Sequence, residues 1–430
     1  MNISVIGSGY VGLITAAGFA EKGHNVICVD VVKEKVDAIN RRKSPIYEKG
    51  LNGILEKTAG VNLKASLDLR NAVLNSEVTF ICVGTPSLSS GAIDLSYVKE
   101  SARQVAEVLN QKKSFHVVVV KSTVIPGTTE GVILPILEKV SQKKVGVDFG
   151  LAMNPEFLRE GIAVEDFRRP DRIVVGCQDK NTLRVLERLY AGFNTTLLKT
   201  DLRTAEMIKY ASNAFLAAKI SFINEIGNVC KELGIDVYKV AEGMGLDRRI
   251  SPHFLRAGIG FGGSCFPKDV KSLVHQSKSL GIKPRILDAV LEVNRTQPLK
   301  VVALAKKKLG SLKGKRIAVL GLAFKGDTDD MRESPAIPLV QALLKEKAVV
   351  VAYDPQAIGN ASRIFGGRIT YAPSSTACLK GADIALIVTE WKEFRNLDFS
   401  GMKRKMVVDA RHMLSPQNLA KDVDYEGLCW

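Results

Sequence analysis

The chain opens on a strand pattern that runs straight into a glycine turn, Gly7-Ser8-Gly9-Tyr10-Val11-Gly12, and this turn constrains the fold more than any other stretch. Asn2–Ile6 is a short apolar run, the turn opens a helical segment, and a second run, Asn25–Asp30, ends on an acid about twenty residues further on. The glycines permit a tight turn and close backbone approach to a pyrophosphate at a helix N-terminus, while the Asp30 carboxylate can accept hydrogen bonds from the adenosine ribose. Glycine turns also arise for packing alone, but here the strand, turn, helix and terminal acid agree. Asp30 favours NAD because a 2′-phosphate would meet a carboxylate there. Lys33 and Lys35 soften that preference.

The same alternation continues through Val78–Val83, His116–Val120, Gly150–Met153 and Arg172–Val175, which reads as a parallel sheet with crossover helices. From about Asp201 one long helical segment runs towards Leu233, where Gly234 can stop it. It is apolar on most faces and rich in small residues, the composition of a spine buried between domains or subunits. Strand–helix alternation then restarts at Arg316–Gly321, Ala348–Tyr353, Asp383–Val388 and Met406–Val408. We expect an α/β chain divided at 1–200, 201–305 and 306–430.

Lys and Arg outnumber Asp and Glu by 61 to 45, a net charge of +16 that favours anionic partners, phosphorylated small molecules among them. The basic residues are spread along the chain, so most read as solvated surface rather than as a nucleic-acid or membrane site. No apolar stretch is long enough to span a bilayer, and Met1 leads into a strand without the features of a secretory signal, so we expect a cytoplasmic protein. The seven cysteines form no Cys-x-x-Cys pair, which suggests reduced thiols and no metal site. Cys28, Cys82 and Cys230 lie in apolar patterns and read as buried hydrophobes.

Cys265 differs. It lies in Gly258-Ile259-Gly260-Phe261-Gly262-Gly263-Ser264-Cys265-Phe266-Pro267-Lys268-Asp269, where backbone N–H groups can converge on an anion and a lysine can favour thiolate. A nucleophile and a buried thiol in a glycine loop are both compatible with that spacing. Glu156, in Asn154–Gly161, is a general base or an acid satisfying a helix dipole. Lys209 and Asn213 are four apart on the long helix and would suit a developing oxyanion or an interhelical network. Val83-Gly84-Thr85-Pro86 and Lys121-Ser122-Thr123, continuing to Thr128, are polar turns at strand ends, where an open parallel sheet binds ligands.

Taken together, these runs, with Gly321–Ser334, resemble the UDP-glucose/GDP-mannose dehydrogenase family over essentially the whole chain. The resemblance implies two Rossmann-like doubly wound domains joined by a long central helix and a helical dimerisation region. It implies two NAD per turnover and four-electron oxidation of UDP-glucose, or of GDP-mannose or a UDP-N-acetylhexosamine as the nearest alternatives. Cys265 would be the nucleophile, Asp269 and Glu156 the acid–base pair handling water, Lys209 and Asn213 the oxyanion stabilisers, and Thr123 the residue positioning a catalytic water. Gly7, Gly9, Tyr10, Val11, Gly12, Asp30, Lys35, Thr85, Pro86, Ser122, Thr123 and Arg332 would hold the cofactor. Glu156, Phe157, Leu158, Arg159, Lys209, Asn213, Phe254, Arg256, Gly262, Lys325 and Arg411 would contact the sugar nucleotide, with Arg249 reaching the neighbouring subunit's site. A competing class, an NAD-binding regulator without turnover, leaves Cys265, Lys209, Asn213 and Asp269 without a purpose.

Overall fold

A computed structural model describes residues 1–430. Contacts divide the chain into two compact units, Met1–Ser212 and Asn213–Trp430, and the boundary falls inside the helix Leu202–Leu233.

The first unit is built on an eight-stranded sheet: β1 (Asn2–Ile6), β2 (Asn25–Val29), β3 (Leu63–Ser66), β4 (Val78–Ile81), β5 (His116–Val120), β6 (Phe149–Met153), β7 (Arg172–Cys177) and β8 (Thr196–Thr200). Their order is β3-β2-β1-β4-β5-β6-β7-β8. The central strands are runs of Val, Ile and Phe because helices cover both faces and leave no position for alternating polar residues. The chain reverses direction of travel between β1 and β4, the point at which a doubly wound sheet opens a ligand crevice at its carboxyl edge. One pairing departs from the all-parallel expectation. β7 runs antiparallel to β6 through Ala152↔Cys177 and Met153↔Gly176, and β8 then pairs parallel to β7.

The second unit carries β9 (Arg316–Leu320), β10 (Val349–Tyr353), β11 (Thr370–Tyr371), β12 (Ile384–Ile387), β13 (Met406–Asp409) and β14 (Asp424–Gly427), ordered β11-β10-β9-β12-β13-β14 and parallel throughout. This repeats the order of the first six strands of the other sheet. A second, smaller apolar cluster joins Ala214 and Ala217 to Phe261, Val270, Val274 and Val290, and it supports the segment that leads to Cys265.

The long helix is present as expected, Leu202–Leu233, but it is not buried all round. Phe215, Phe222 and Val229, seven residues apart, are 67%, 51% and 54% exposed, so one apolar face is left open. No helix is long and apolar enough to cross a membrane.

Candidate active site

Gly7 adopts φ +96°, and a Cβ there would meet the Cys82 carbonyl oxygen at 2.9 Å. Gly12 packs tighter still, since its Cβ would lie 1.8 Å from the Gly7 carbonyl oxygen. A Cβ on Gly9 would meet nothing within 4 Å, so the middle of the turn faces open space. The helix Tyr10–Glu21 that follows has no side-chain cap and no acid in its first turn, which leaves the first-turn N–H groups of Tyr10 and Val11 for an anion. Asp30 accepts hydrogen bonds from Ser8 N–H at 2.7 Å, Ser8 Oγ at 2.6 Å and Val32 N–H at 3.0 Å, with Lys35 Nζ at 3.8 Å. Burial pulls its carboxyl upward, but those bonds and Lys35 outweigh burial and hold it below the usual carboxylate range. Its Oδ1, which takes only the Val32 N–H, keeps a lone pair for a ribose hydroxyl. The turn therefore fits a dinucleotide.

Beside the crevice, Ser122 Oγ donates to the Val83 carbonyl at 2.7 Å and Thr85 Oγ1 to the Thr123 carbonyl at 3.0 Å. The two polar turns after β4 and β5 are thus stitched together, and Pro86 begins a small loop closed by Asp94 N–H on its carbonyl at 2.8 Å. Tyr10 directs its hydroxyl to buried Glu48, which also accepts Gly161 N–H at 2.7 Å and Ala163 N–H at 2.8 Å. Glu48 ties the Asn154–Gly161 segment to the cofactor turn. Sequence reasoning missed it, because the backbone groups it holds, at Gly161 and Ala163, lie more than a hundred residues away.

In that segment Glu156 is buried and meets Lys209 Nζ at 2.9 Å. Arg159 forks instead onto Asp166 at 2.5 Å and 3.1 Å. Glu156 also takes Leu158 N–H at 2.6 Å. Burial would raise its carboxyl, but Lys209, the Leu158 N–H and Lys121 together hold it below the usual value, so it stays ionised. The Phe157 ring is covered by Arg172 at 3.7 Å, with Lys209 at 5.4 Å from its centroid.

Lys121, read from the sequence only as part of a polar turn, is buried on the same wall and donates to Asn154 Oδ1 at 2.8 Å, an oxygen it shares with the Tyr190 hydroxyl. Burial pulls its ammonium down to about 8 from an ordinary 10.5. Below pH 8 both folded and unfolded lysine are charged and the burial penalty is full. Above 10.5 both are neutral and it is gone. The stability of the native chain relative to Lys121→Met is therefore expected to rise between those limits, by up to about 3 kcal/mol, in urea titrations at successive pH values.

In the second unit Cys265 is half-buried and occupies the N-cap of the helix Phe266–Ser279. The residue thus sits at the positive end of a fourteen-residue helix, with Ser264 Oγ 3.6 Å from its sulfur. Gly263 before it has φ +84° and donates to the Arg332 carbonyl at 2.9 Å, and a Cβ there would meet the Phe324 ring at 2.8 Å. Asp269, one turn into the helix and 1% exposed, accepts from Asn213 Nδ2 at 2.6 Å and from Lys268. Both expected oxyanion donors are thus already engaged with carboxylates, Lys209 with Glu156 and Asn213 with Asp269.

Five of the expected substrate contacts, Phe254, Arg256, Gly262, Lys325 and Arg411, line one cavity of about 330 Å³. Arg411 is fixed there by the carbonyls of Val388 at 2.9 Å, Gly260 at 3.1 Å and Phe324 at 3.1 Å, with the Glu390 carboxylate at 3.2 Å. Three of its five N–H groups are used, leaving two for a ligand. Glu390 was not anticipated, as a single acid after β12 carries no sequence signal. Two expected residues lie elsewhere: Arg249 is exposed and paired with Asp247 at 2.6 Å, and Arg332 is paired with Asp330 at 2.6 Å.

Comparison with known proteins places these features in one family. Residues 1–194 match the NAD binding domain of the UDP-glucose/GDP-mannose dehydrogenase family, 203–296 its central domain and 318–416 its UDP binding domain. The chain is 46% identical to a UDP-glucose 6-dehydrogenase of Haloferax volcanii over 100% of both chains. It is 42% identical to one of Bacillus subtilis over 97% of this chain and 90% of that one. A solved UDP-glucose dehydrogenase from Pyrobaculum islandicum superimposes with a TM-score of 0.94 at 42% identity, covering 100% of this chain and 97% of the other. A UDP-D-ManNAc dehydrogenase from Pyrococcus horikoshii does so with 0.88 at 30% identity, over 100% and 99%. Two Rossmann-like sheets, a glycine turn built for NAD and full-length identity of this order agree: the chain belongs to the UDP-glucose/GDP-mannose dehydrogenase family and is an NAD-dependent oxidoreductase of nucleotide sugars.

Proposed function

We propose that the chain is a UDP-glucose 6-dehydrogenase, oxidising UDP-glucose to UDP-glucuronate through a thiohemiacetal and a thioester on Cys265. The observation that carries this reading is the placing of one thiol, among seven, at a helix N-terminus one turn from buried Asp269. Relatives of that name at 41% to 46% identity support the choice of sugar.

NAD, when bound, supplies a hydride acceptor on the first sheet's crevice. Loss of one hydride and one proton turns the primary alcohol into an aldehyde, whose trigonal carbon does not readily give up a second. Addition of the Cys265 thiolate makes that carbon tetrahedral and its oxygen anionic, and a second hydride can then leave to give the thioester. Water adds to the resulting thioester, the C–S bond breaks, and the acid departs with the thiolate restored. Lys209 and Asn213 stabilise the oxyanion, and Glu156 and Asp269 move the water's protons. Thr123 holds the water. Lys35 and Arg332 assist the cofactor, and the cavity around Arg256, Lys325 and Arg411 takes the anionic nucleotide. Phe157 and Leu158 contact the sugar, and Arg159 can do so only by releasing Asp166.

The three-part division 1–200, 201–305 and 306–430 is part of the same reading, as is a homodimer in which the open apolar face of Phe215, Phe222 and Val229 is covered and Arg249 reaches the neighbouring site. So is a cytoplasmic setting, in which the seven free thiols stay reduced.

Purified protein is expected to form two NADH per UDP-glucose consumed, with slower turnover of GDP-mannose and of UDP-N-acetylhexosamines. One NADH per sugar would remove the need for the thiol, and preference for another sugar would replace the substrate.

A further inference from the structure

The helix Leu202–Leu233 carries Glu206, Lys209 and Asn213 on successive turns of one face. The last two have roles in the function proposed above, and Glu206 has none. Its carboxylate is 0% exposed, and its two oxygens accept different backbone donors, Gly127 N–H at 2.6 Å and Thr129 N–H at 2.7 Å. Burial and the nearby Glu130 push its carboxyl up, and the Thr129 side chain together with these backbone dipoles, rather than a cation, holds the charge. Burying a charge in this way is unfavourable, and an apolar side chain would pack the site without the penalty.

Those donors end the loop that begins at Lys121. Its front is anchored by Ser122 Oγ on the Val83 carbonyl and by Thr85 Oγ1 on the Thr123 carbonyl. Its back passes through Gly127, at φ +95°, into a wide π-type turn over Thr129–Ile133, an irregularity that needs support from outside the segment. Thr123 is held at the front through its carbonyl and leads directly into the stretch that Glu206 holds at the back.

We propose that Glu206 is a positioning residue for Thr123: by gripping Gly127 and Thr129 it fixes the loop so that the Thr123 hydroxyl stays at the carboxyl edge of the sheet. The inference rests on the role given to Thr123 in the proposed function. Glu206→Gln keeps the size of the side chain but leaves one acceptor oxygen and sets an NH₂ against a backbone N–H.

The test is a double-mutant cycle of Glu206→Gln with Thr123→Ala, read in kcat and KM. Glu206→Gln is expected to lower kcat by about 100-fold, as for a misplacement of about 1 Å, while KM for UDP-glucose stays within about twofold. Because it acts through Thr123, the double variant should be no slower than Thr123→Ala alone. Losses that multiply, or an unchanged kcat, would overturn the proposal. If Glu206→Gln does not fold, Glu206→Asp keeps the charge, shortens its reach and enters the same cycle. If the native enzyme binds NADH but does not oxidise UDP-glucose, the functional reading fails instead. The cycle is then read in the NADH dissociation constant by fluorescence, where the same non-additivity is expected and its absence overturns the role of Glu206.

Discussion

Replacing Cys265 by serine is expected to stop the oxidation before the acid, lowering UDP-glucuronate formation by a factor on the order of 10³ or more while the protein still folds. The side chain is half-buried at a helix N-cap, so exchanging sulfur for oxygen creates neither a cavity nor an unsatisfied core group. What changes is the nucleophile. A cysteine at a helix N-cap is a strong nucleophile, whereas a serine hydroxyl needs a dedicated base. The first hydride transfer does not need the thiol, so the variant should give up to one NADH per site and an aldehyde or its hydrate, trapped with a carbonyl reagent and weighed by mass spectrometry. The other thiols supply the control. Burial pushes Cys82 up to about 12 and Cys177 to about 11, values at which neither is a nucleophile at neutral pH. Cys177→Ser is therefore expected to leave activity within about twofold of the native level. Full four-electron turnover by the Cys265 variant would refute the mechanism.

How far the sequence reaches is set by where each element sits. The strands read from it are those buried on both faces, where Val, Ile and Leu run together. The four that escaped, β3, β8, β11 and β14, are the outer strands of the two sheets, with compositions such as Leu-Lys-Ala-Ser and Asp-Tyr-Glu-Gly. An edge strand meets solvent and needs no continuous apolar run, so the signal is absent for a physical reason. The reversal at β7 is equally silent, since Arg-Ile-Val-Val-Gly-Cys is apolar whichever way it runs.

The same distinction divides the site. Glycine turns and the Cys265 loop are contiguous, so their chemistry can be read in order along the chain. Glu48 and Glu206 work on partners distant in sequence, and an acid that binds backbone N–H groups needs no complementary residue type, while Glu390 meets Arg411 from the end of another strand. Glu206 alone left a trace, as a polar residue one turn ahead of Lys209 on an apolar helix. The Arg159 contact is equally silent, since its fork closes on Asp166, seven residues on, while the nearby Glu156 takes a lysine from another element.

That pairing makes Lys209 the second position where a single substitution should have a large effect. Lys209→Met is expected to abolish measurable turnover and to destabilise the chain by about 3–5 kcal/mol at neutral pH, because it leaves the buried Glu156 carboxylate without its principal counter-charge. In the native chain the Glu156 carboxyl lies below its usual value, so its contribution to stability is present above that value and fades as pH falls. Removing Lys209 reverses the sign. Burial then dominates, the carboxyl rises, and the penalty is full at neutral pH and relieved as acid protonates Glu156. Urea titrations of Lys209→Met should therefore show stability recovering relative to the native chain as pH is lowered towards 5. Lys121, whose charge also favours ionised Glu156, limits the loss but donates to Asn154 and cannot replace the direct contact. The double variant Lys209→Met/Glu156→Gln removes the stranded charge and should be more stable than Lys209→Met alone at pH 7, while remaining inactive. Equal stability of the two at every pH would show that the ion pair is not what holds Glu156 in place.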